Sequence, residues 1–212
     1  MKTIYLLRHG ESIINTDDVH YHDETAPLSE LGKKQAQYVA KRASRLNFDA
    51  LISSHMARAK ETAEYIAEAT GHSIEYDELL KEWCMPTSLN GKRRDDPEVK
   101  LLAERAIAAR DGDGKKVEDS ENFEELAGRA EQMLKHWESH PRDTLLAVTH
   151  GRFLRMIIAR VFFGKNLTPQ LFEPFVSGMR PQNTGITVLQ FDPNDAHRSW
   201  WMLVFNDHGH LG

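Results

Sequence analysis

Two short apolar runs, residues 3–7 (TIYLL) and 144–149 (TLLAVT), lead into the same dipeptide: His9–Gly10, reached through Arg8, and His150–Gly151. Apolar, β-branched runs of this length, bounded by charge and glycine, read as buried strands. In an open α/β sheet, ligands gather beyond the carboxyl ends of the strands. Two such strands can therefore bring two imidazoles to one place, although about 140 residues separate them along the chain.

The text between the two runs supports such a sheet. Ser29 precedes Leu31, Ala36, Val39, Ala40 and Ala43 at helical spacing, with Ser29 or Thr25 available as the N-cap. Residues 48–54 (FDALISS) read as a second short strand, and MARAKETAEYIAEATG as a helix closed by Gly71. Strand and helix in alternation point to a mostly parallel sheet covered by helices. The expected architecture is a three-layer α/β/α sandwich, one domain over residues 1–212. Residues 74–82 (IEYDELLKE) hold one or two short strands. From 83 to 120 the pattern weakens to a loop, a helix begun by proline and an acidic connector, which we read as a cap inserted over the core. Two helical segments (FEELAGRAEQMLKHWESH and RFLRMIIARVFFG) and a closing pair of strands (GITVLQFD and SWWMLVFN) complete the chain.

Composition narrows the partners. At 212 residues, 40% hydrophobic and 28% charged, the chain suits a globular domain and neither a disordered nor a membrane-spanning one. A net charge of −5 and a pI near 6.1 argue against the surface-wide basic field of a nucleic-acid binder, while a small basic pocket for an anionic small molecule stays open. Cys84 is the only cysteine, so no intramolecular disulfide can form, and a cytoplasmic setting is expected. Arg8 cuts the apolar run after Lys2 too early for a signal peptide, and no segment is long enough for a bilayer, so no membrane partner is expected. Nothing in the sequence bears on oligomeric state.

At the end of the second strand, SSHMARAKET places Arg58 one turn into a helix, where its guanidinium and the helix N-terminus can both face an anion. Glu82 follows Leu79–Leu80 just ahead of the insertion. Taken in order, RHGE, SxxxRAxxTA, LxE and THG, with PLSELGKKQA after the first and NTGITVLQF near the end, resemble the histidine phosphatase superfamily, also called the phosphoglycerate mutase-like family, over the whole chain.

The resemblance implies a site. His9 would attack phosphorus and form a phosphohistidine, splitting one difficult displacement into two easier ones. Arg8, Arg58 and a protonated His150 would hold the transferred oxygens, and the same positive cluster would keep His9 neutral for attack. Glu82 would protonate the leaving oxygen and later deprotonate the attacking water. Asn15 and Thr62 match positions that line the phosphate or its surroundings, Asn183 belongs to the same rim, and Gly10 and Gly151 would let the backbone pass close to the phosphate. Neither a metal nor a cofactor is called for.

Other readings compete. His20 and His22, near Asp17, Asp18 and Asp23, and the pair His208 and His210 invite a metal site, but no spacing fixes a third or fourth ligand, and loop polarity explains them more simply. Lys92, Arg93 and Arg94 are either a solvated run or the partner of a substrate's second anionic group. The segment after Glu82 reads WCMPTSL, without the family mutases' ERHYGxLxG or the FGxWEG of many family phosphatases. The expected function is a metal-independent phosphatase of the histidine acid phosphatase type, acting on a small phosphate monoester. The alternatives are a cofactor-dependent phosphoglycerate mutase-type phosphotransferase, a metal-dependent hydrolase, and a silent phosphate-binding regulatory module.

Overall fold

The computed structural model describes residues 1–13, 24–113, 115–195 and 199–212. At its centre six strands, β1 (Lys2–Arg8), β2 (Ala50–Ser53), β3 (Ile74–Tyr76), β4 (Thr144–Thr149), β5 (Ile186–Phe191) and β6 (Trp200–Asp207), form one sheet in the order β3-β2-β4-β1-β5-β6. The first four positions are parallel; β5 runs antiparallel to β1, and β6 antiparallel to β5. The sheet is mixed, with the expected closing pair at one edge and the parallel pairs elsewhere.

Strand alternation divides the core in two. Ile4, Leu6, Ile52, Leu145, Ala147 and Leu189 point to one face. There α4 (Phe123–Ser139), α5 (Gly151–Phe163) and α6 (Pro169–Ser177) cover them with side chains such as Met133, Trp137, Phe153 and Phe172. Leu7, Leu51, Leu146, Val148 and Ile186 point to the other face, under α1 (Glu30–Ala43) and α2 (Ala57–Thr70), which contribute Val39, Ala43, Ala63 and Ile66. Apolar burial on both faces is why the central strands read as unbroken apolar runs and not as an alternation. The helices start and stop where local chemistry sets them. Ser29 Oγ accepts the Gly32 N–H at 3.0 Å, Asn122 and Glu125 form a reciprocal capping box on α4, and Gly71 ends α2 at φ 75°.

One region meets its expectation in the shorter form, and another departs from expectation. Residues 74–82 hold a single three-residue strand followed by a 3₁₀ turn, Glu78–Leu80. Helix α6 was not legible, because it opens on Pro169 and carries Pro174 inside; burial of Phe172 and Val176 holds it against α5 despite the lost N–H. Within 83–120, the helix begun by proline is α3 (Pro97–Ala108). Trp83, Ala106, Ala109 and Val117 join the α4–α6 core, while Leu89, Val99 and Ala103 form a small core of their own. Among the described residues, no helix is long and apolar enough to cross a membrane.

One consequence of this topology places the site. The chain leaves β1 toward α1 on one face and leaves the adjacent β4 toward α5 on the other, so a crevice opens between the carboxyl ends of these two strands.

Candidate active site

Parallel pairing of β1 and β4 sets Arg8 opposite Thr149. The next residues, His9 and His150, therefore leave the sheet side by side, with ring centroids 4.9 Å apart and planes inclined at 58°. His9 Nδ1 lies 2.6 Å from Gly10 O. A carbonyl oxygen only accepts, so in the neutral ring Nδ1 carries the proton and Nε2 keeps its lone pair. Nε2 accepts from Arg58 Nε at 3.1 Å. Burial first, then the charges of Arg58 and Arg8, hold the His9 pKa well below its ordinary value, against a smaller opposing pull from the Gly10 carbonyl.

His150 is fully buried, and its Nε2 lies 2.9 Å from Ser54 Oγ, at the end of β2. When Ser54 donates to Nε2, the ring proton sits on Nδ1, which has no partner among the described residues. Its pKa too is held well below the ordinary value, by burial and then by Arg58, His9, Arg129 and Arg8. The direction runs against the expected protonated His150, because desolvation beside two guanidinium groups disfavours the imidazolium in the free site.

Arg58 stands in the first turn of α2, one residue in and not a full turn, and is 5% exposed. Arg8 donates through Nη1 to Pro181 O at 2.8 Å, while its Nε is buried without a partner among the described residues. Gly151 makes room for that guanidinium, since a Cβ there would lie 3.2 Å from Arg8 Nε. Gly10 serves packing instead. A Cβ on it would lie 2.7 Å from Gly32 O, and one on Gly32 would lie 1.9 Å from Glu11 O, so the two glycines let the start of α1 close on the loop after β1.

Glu82 caps α5. Its Oε2 accepts the Arg152 N–H at 3.0 Å and its Oε1 the Phe153 N–H at 2.9 Å and the Trp83 N–H at 3.0 Å. His150 offers α5 no side-chain cap, so a residue far off in sequence supplies it. The segment ahead of Glu82 is itself clamped. Arg129 Nη1 donates to Leu79 O (2.8 Å) and Lys81 O (2.7 Å), and Thr149 Oγ1 donates to Leu80 O (2.8 Å).

Thr62 and Asn183 act on the backbone. Thr62 Oγ1 accepts the Gly10 N–H (3.1 Å) and donates to Arg58 O (2.7 Å), so its one proton is spent inside the protein. Asn183 Nδ2 donates to His9 O at 2.9 Å. Asn15, His20, His22, Asp17, Asp18 and Asp23 lie outside the described residues. His208 and His210 are engaged separately, with Asn206 O and Thr184 Oγ1. Lys92, Arg93 and Arg94 are exposed, Arg93 is paired with Asp95, and none of the three lines the cavity beside Arg8.

That cavity, of about 390 Å³, is lined by Arg8, Glu82, Trp83 and Gly151 and by four arginines the sequence reading passed over: Arg110, Arg152, Arg155 and Arg180. Arg152 and Arg155 were visible as an i, i+3 pair directly after His150–Gly151, a spacing that shares one helix face. Arg110 and Arg180 carried no local signal and arrive from the end of α3 and the loop after α6.

Comparisons with known proteins agree with one another. The model of a family described as the histidine phosphatase superfamily (branch 1) matches residues 4–207. A relative from Escherichia coli named "Probable phosphoglycerate mutase GpmB" is 32% identical over 164 residues, 76% of this chain and 75% of its own. Among solved structures, a mycobacterial glucosyl-3-phosphoglycerate phosphatase superposes with a TM-score of 0.75 at 23% identity, covering 97% of this chain and 98% of its own. Phosphoserine phosphatase from Entamoeba histolytica, in complex with 3-phosphoglyceric acid, gives 0.73 at 23% identity over the whole of both chains.

Proposed function

The chain belongs to the histidine phosphatase superfamily, and from that membership and the site's geometry we propose that it is a phosphatase, hydrolysing a small phosphate monoester through a phosphohistidine on His9. The observation that carries the reading is the setting of His9: Nδ1 lies against Gly10 O, Nε2 accepts from Arg58, and burial beside two guanidinium groups disfavours the protonated ring. A neutral imidazole so oriented is a nucleophile.

In this reading His9 Nε2 attacks phosphorus in line, forming the N–P bond as the ester P–O bond breaks. Arg8 Nε, Arg58 and His150 Nδ1 face the three phosphoryl oxygens; the two unspent buried nitrogens are donors without an acceptor among the described residues, which is what an arriving oxyanion supplies. Glu82 delivers a proton to the leaving oxygen. Its carboxylate spends three of roughly four lone-pair sites on backbone N–H groups, leaving one for that transfer. Water then attacks phosphorus, Glu82 takes its proton, inorganic phosphate leaves and His9 is neutral again. Fixed positive charges do here what metal ions do in other phosphoryl transfers. Thr62 and Asn183 act as positioning residues, holding the backbone of Gly10 and His9. Residues 83–120 serve as the cap, contributing Trp83 and Arg110 to one wall of the cavity. The setting we propose is cytoplasmic, with a small phosphorylated substrate and no nucleic-acid or membrane partner.

Hydrolysis of p-nitrophenyl phosphate in excess chelator tests this. We expect turnover unaffected by the chelator, a burst of p-nitrophenol, and loss of about 10⁴-fold or more in His9→Ala. Loss of activity in chelator would refute the metal-free route. The phosphoglycerate mutase-type alternative is kept in view by the name of the 32% identical relative; 3-phosphoglycerate isomerised faster than any ester is hydrolysed would favour it.

A further inference from the structure

We infer that the substrate carries, beside its phosphate ester, a second oxyanion received by Arg155 and Arg180; this rests on the phosphatase reading and adds a substrate class to it. The four arginines beyond Arg8 are not equivalent. Arg110 is neutralised by a two-point pair with Asp111 (2.6 and 2.8 Å) and lies over the Trp83 ring at 4.6 Å. Arg152 Nη2 is 2.5 Å from both Asp111 Oδ1 and Glu173 Oε1. These two build the wall.

Arg155 is held differently. Its Nε donates to Gly151 O at 3.0 Å and its Nη1 to Val176 O at 3.4 Å. Carbonyls orient a guanidinium without neutralising it. Arg180 is exposed at the mouth of the same cavity. Among the described residues no carboxylate bridges to either. Burial and the neighbouring Arg152 charge both press the Arg155 pKa down, and only Glu82, among the charges acting on it, works in the other direction. A part-buried guanidinium without a carboxylate partner, extended by a second at the mouth, makes the wall beside the phosphate site positive and attractive to a further anion.

Reach limits the ligand. A Cβ on Gly151 would lie 3.2 Å from Arg8 Nε, and Arg155 Nε bonds the carbonyl of the same residue, so the two guanidinium groups lie beside one residue. A phosphate held by Arg8 therefore leaves only a compact molecule, a few bonds long, to meet Arg155. The shared chemistry is a planar or tetrahedral oxyanion matched to a guanidinium fork, and a carboxylate or a second phosphate could each supply it.

The test compares kcat/KM on three esters of similar size: glycerol 1-phosphate, 3-phosphoglycerate and glycerol 1,3-bisphosphate. We expect one of the two doubly anionic esters to be preferred over glycerol phosphate by about 10- to 100-fold, the worth of one or two charge-assisted hydrogen bonds, and which one leads identifies the oxyanion. Arg180→Met and Arg155→Met should each collapse that ratio toward one, mainly through KM, with partial recovery in Arg155→Lys. A ratio within about twofold of one, or one untouched by both variants, overturns the inference while leaving the phosphatase reading standing. If no ester is hydrolysed, the phosphatase reading fails instead. Calorimetric binding of 3-phosphoglycerate and of glycerol 1,3-bisphosphate to wild type and Arg180→Met then decides the second oxyanion without turnover, equal affinities for both ligands sinking it.

Discussion

His9 and His150 are titratable groups whose protonation the fold resists. Both pKa values are depressed, chiefly by burial, whereas in the unfolded chain both rings take up protons near pH 6.5. The unfolded state therefore binds more protons on these residues below that pH, and stability falls as pH drops through about 6.5, with no cost at pH 8. Each histidine contributes up to about 1.4 kcal/mol per pH unit to that slope. We expect urea denaturation between pH 8 and 5 to show a steeper loss of stability in wild type than in His9→Ala. Parallel curves would mean that the imidazole is not desolvated as described. At this scale the sequence was informative about identity and less so about roles. His9, Arg8, Arg58 and His150 are legible from their motifs. The positioning role of Thr62 is not, because the bond its Oγ1 accepts comes from the Gly10 N–H, 52 residues earlier in the chain. Nor is the depressed pKa of His150, since desolvation is a property of the packed surroundings.

Helix α5 begins on the glycine after His150 and lacks a side-chain cap of its own. Glu82 fills that gap from the segment clamped by Arg129 and Thr149, so one carboxylate both closes a helix and, in the proposed chemistry, moves a proton. The two duties separate by substitution. Glu82→Gln keeps one oxygen acceptor for part of the cap and should cost less stability than Glu82→Ala, which should lose about 1 kcal/mol or more, as other caps do. Both should lose kcat on p-nitrophenyl phosphate, most visibly with esters whose leaving group needs a proton. Full activity in Glu82→Gln at normal stability would leave only the capping duty. The boundaries of α1, α2 and α4 were readable because caps and periodicity are local. Helix α6 was not, because its two prolines argue locally against a helix that Phe172 and Val176 nevertheless hold in place by burial.

The groups proposed to face the phosphate come from β1, α2 and the junction of β4 with α5, and an anion bound among them would tie these parts together. Orthovanadate at about 100 times its dissociation constant should stabilise the folded chain by about 2.7 kcal/mol, a rise of roughly 5–10 °C in Tm for a protein of this size. The shift should vanish in Arg58→Met, and a vanadate effect surviving that change would place the anion elsewhere. The strands, most helices and the four motif residues were determined by sequence alone, because hydrophobic period, capping chemistry and motif order are written over a few residues at a time. The meeting of Arg110, Arg152, Arg155 and Arg180 around one cavity was decided only by the tertiary structure. Their approach depends on how α3, α5 and the loop after α6 pack over the sheet, and long-range packing leaves no local pattern to read.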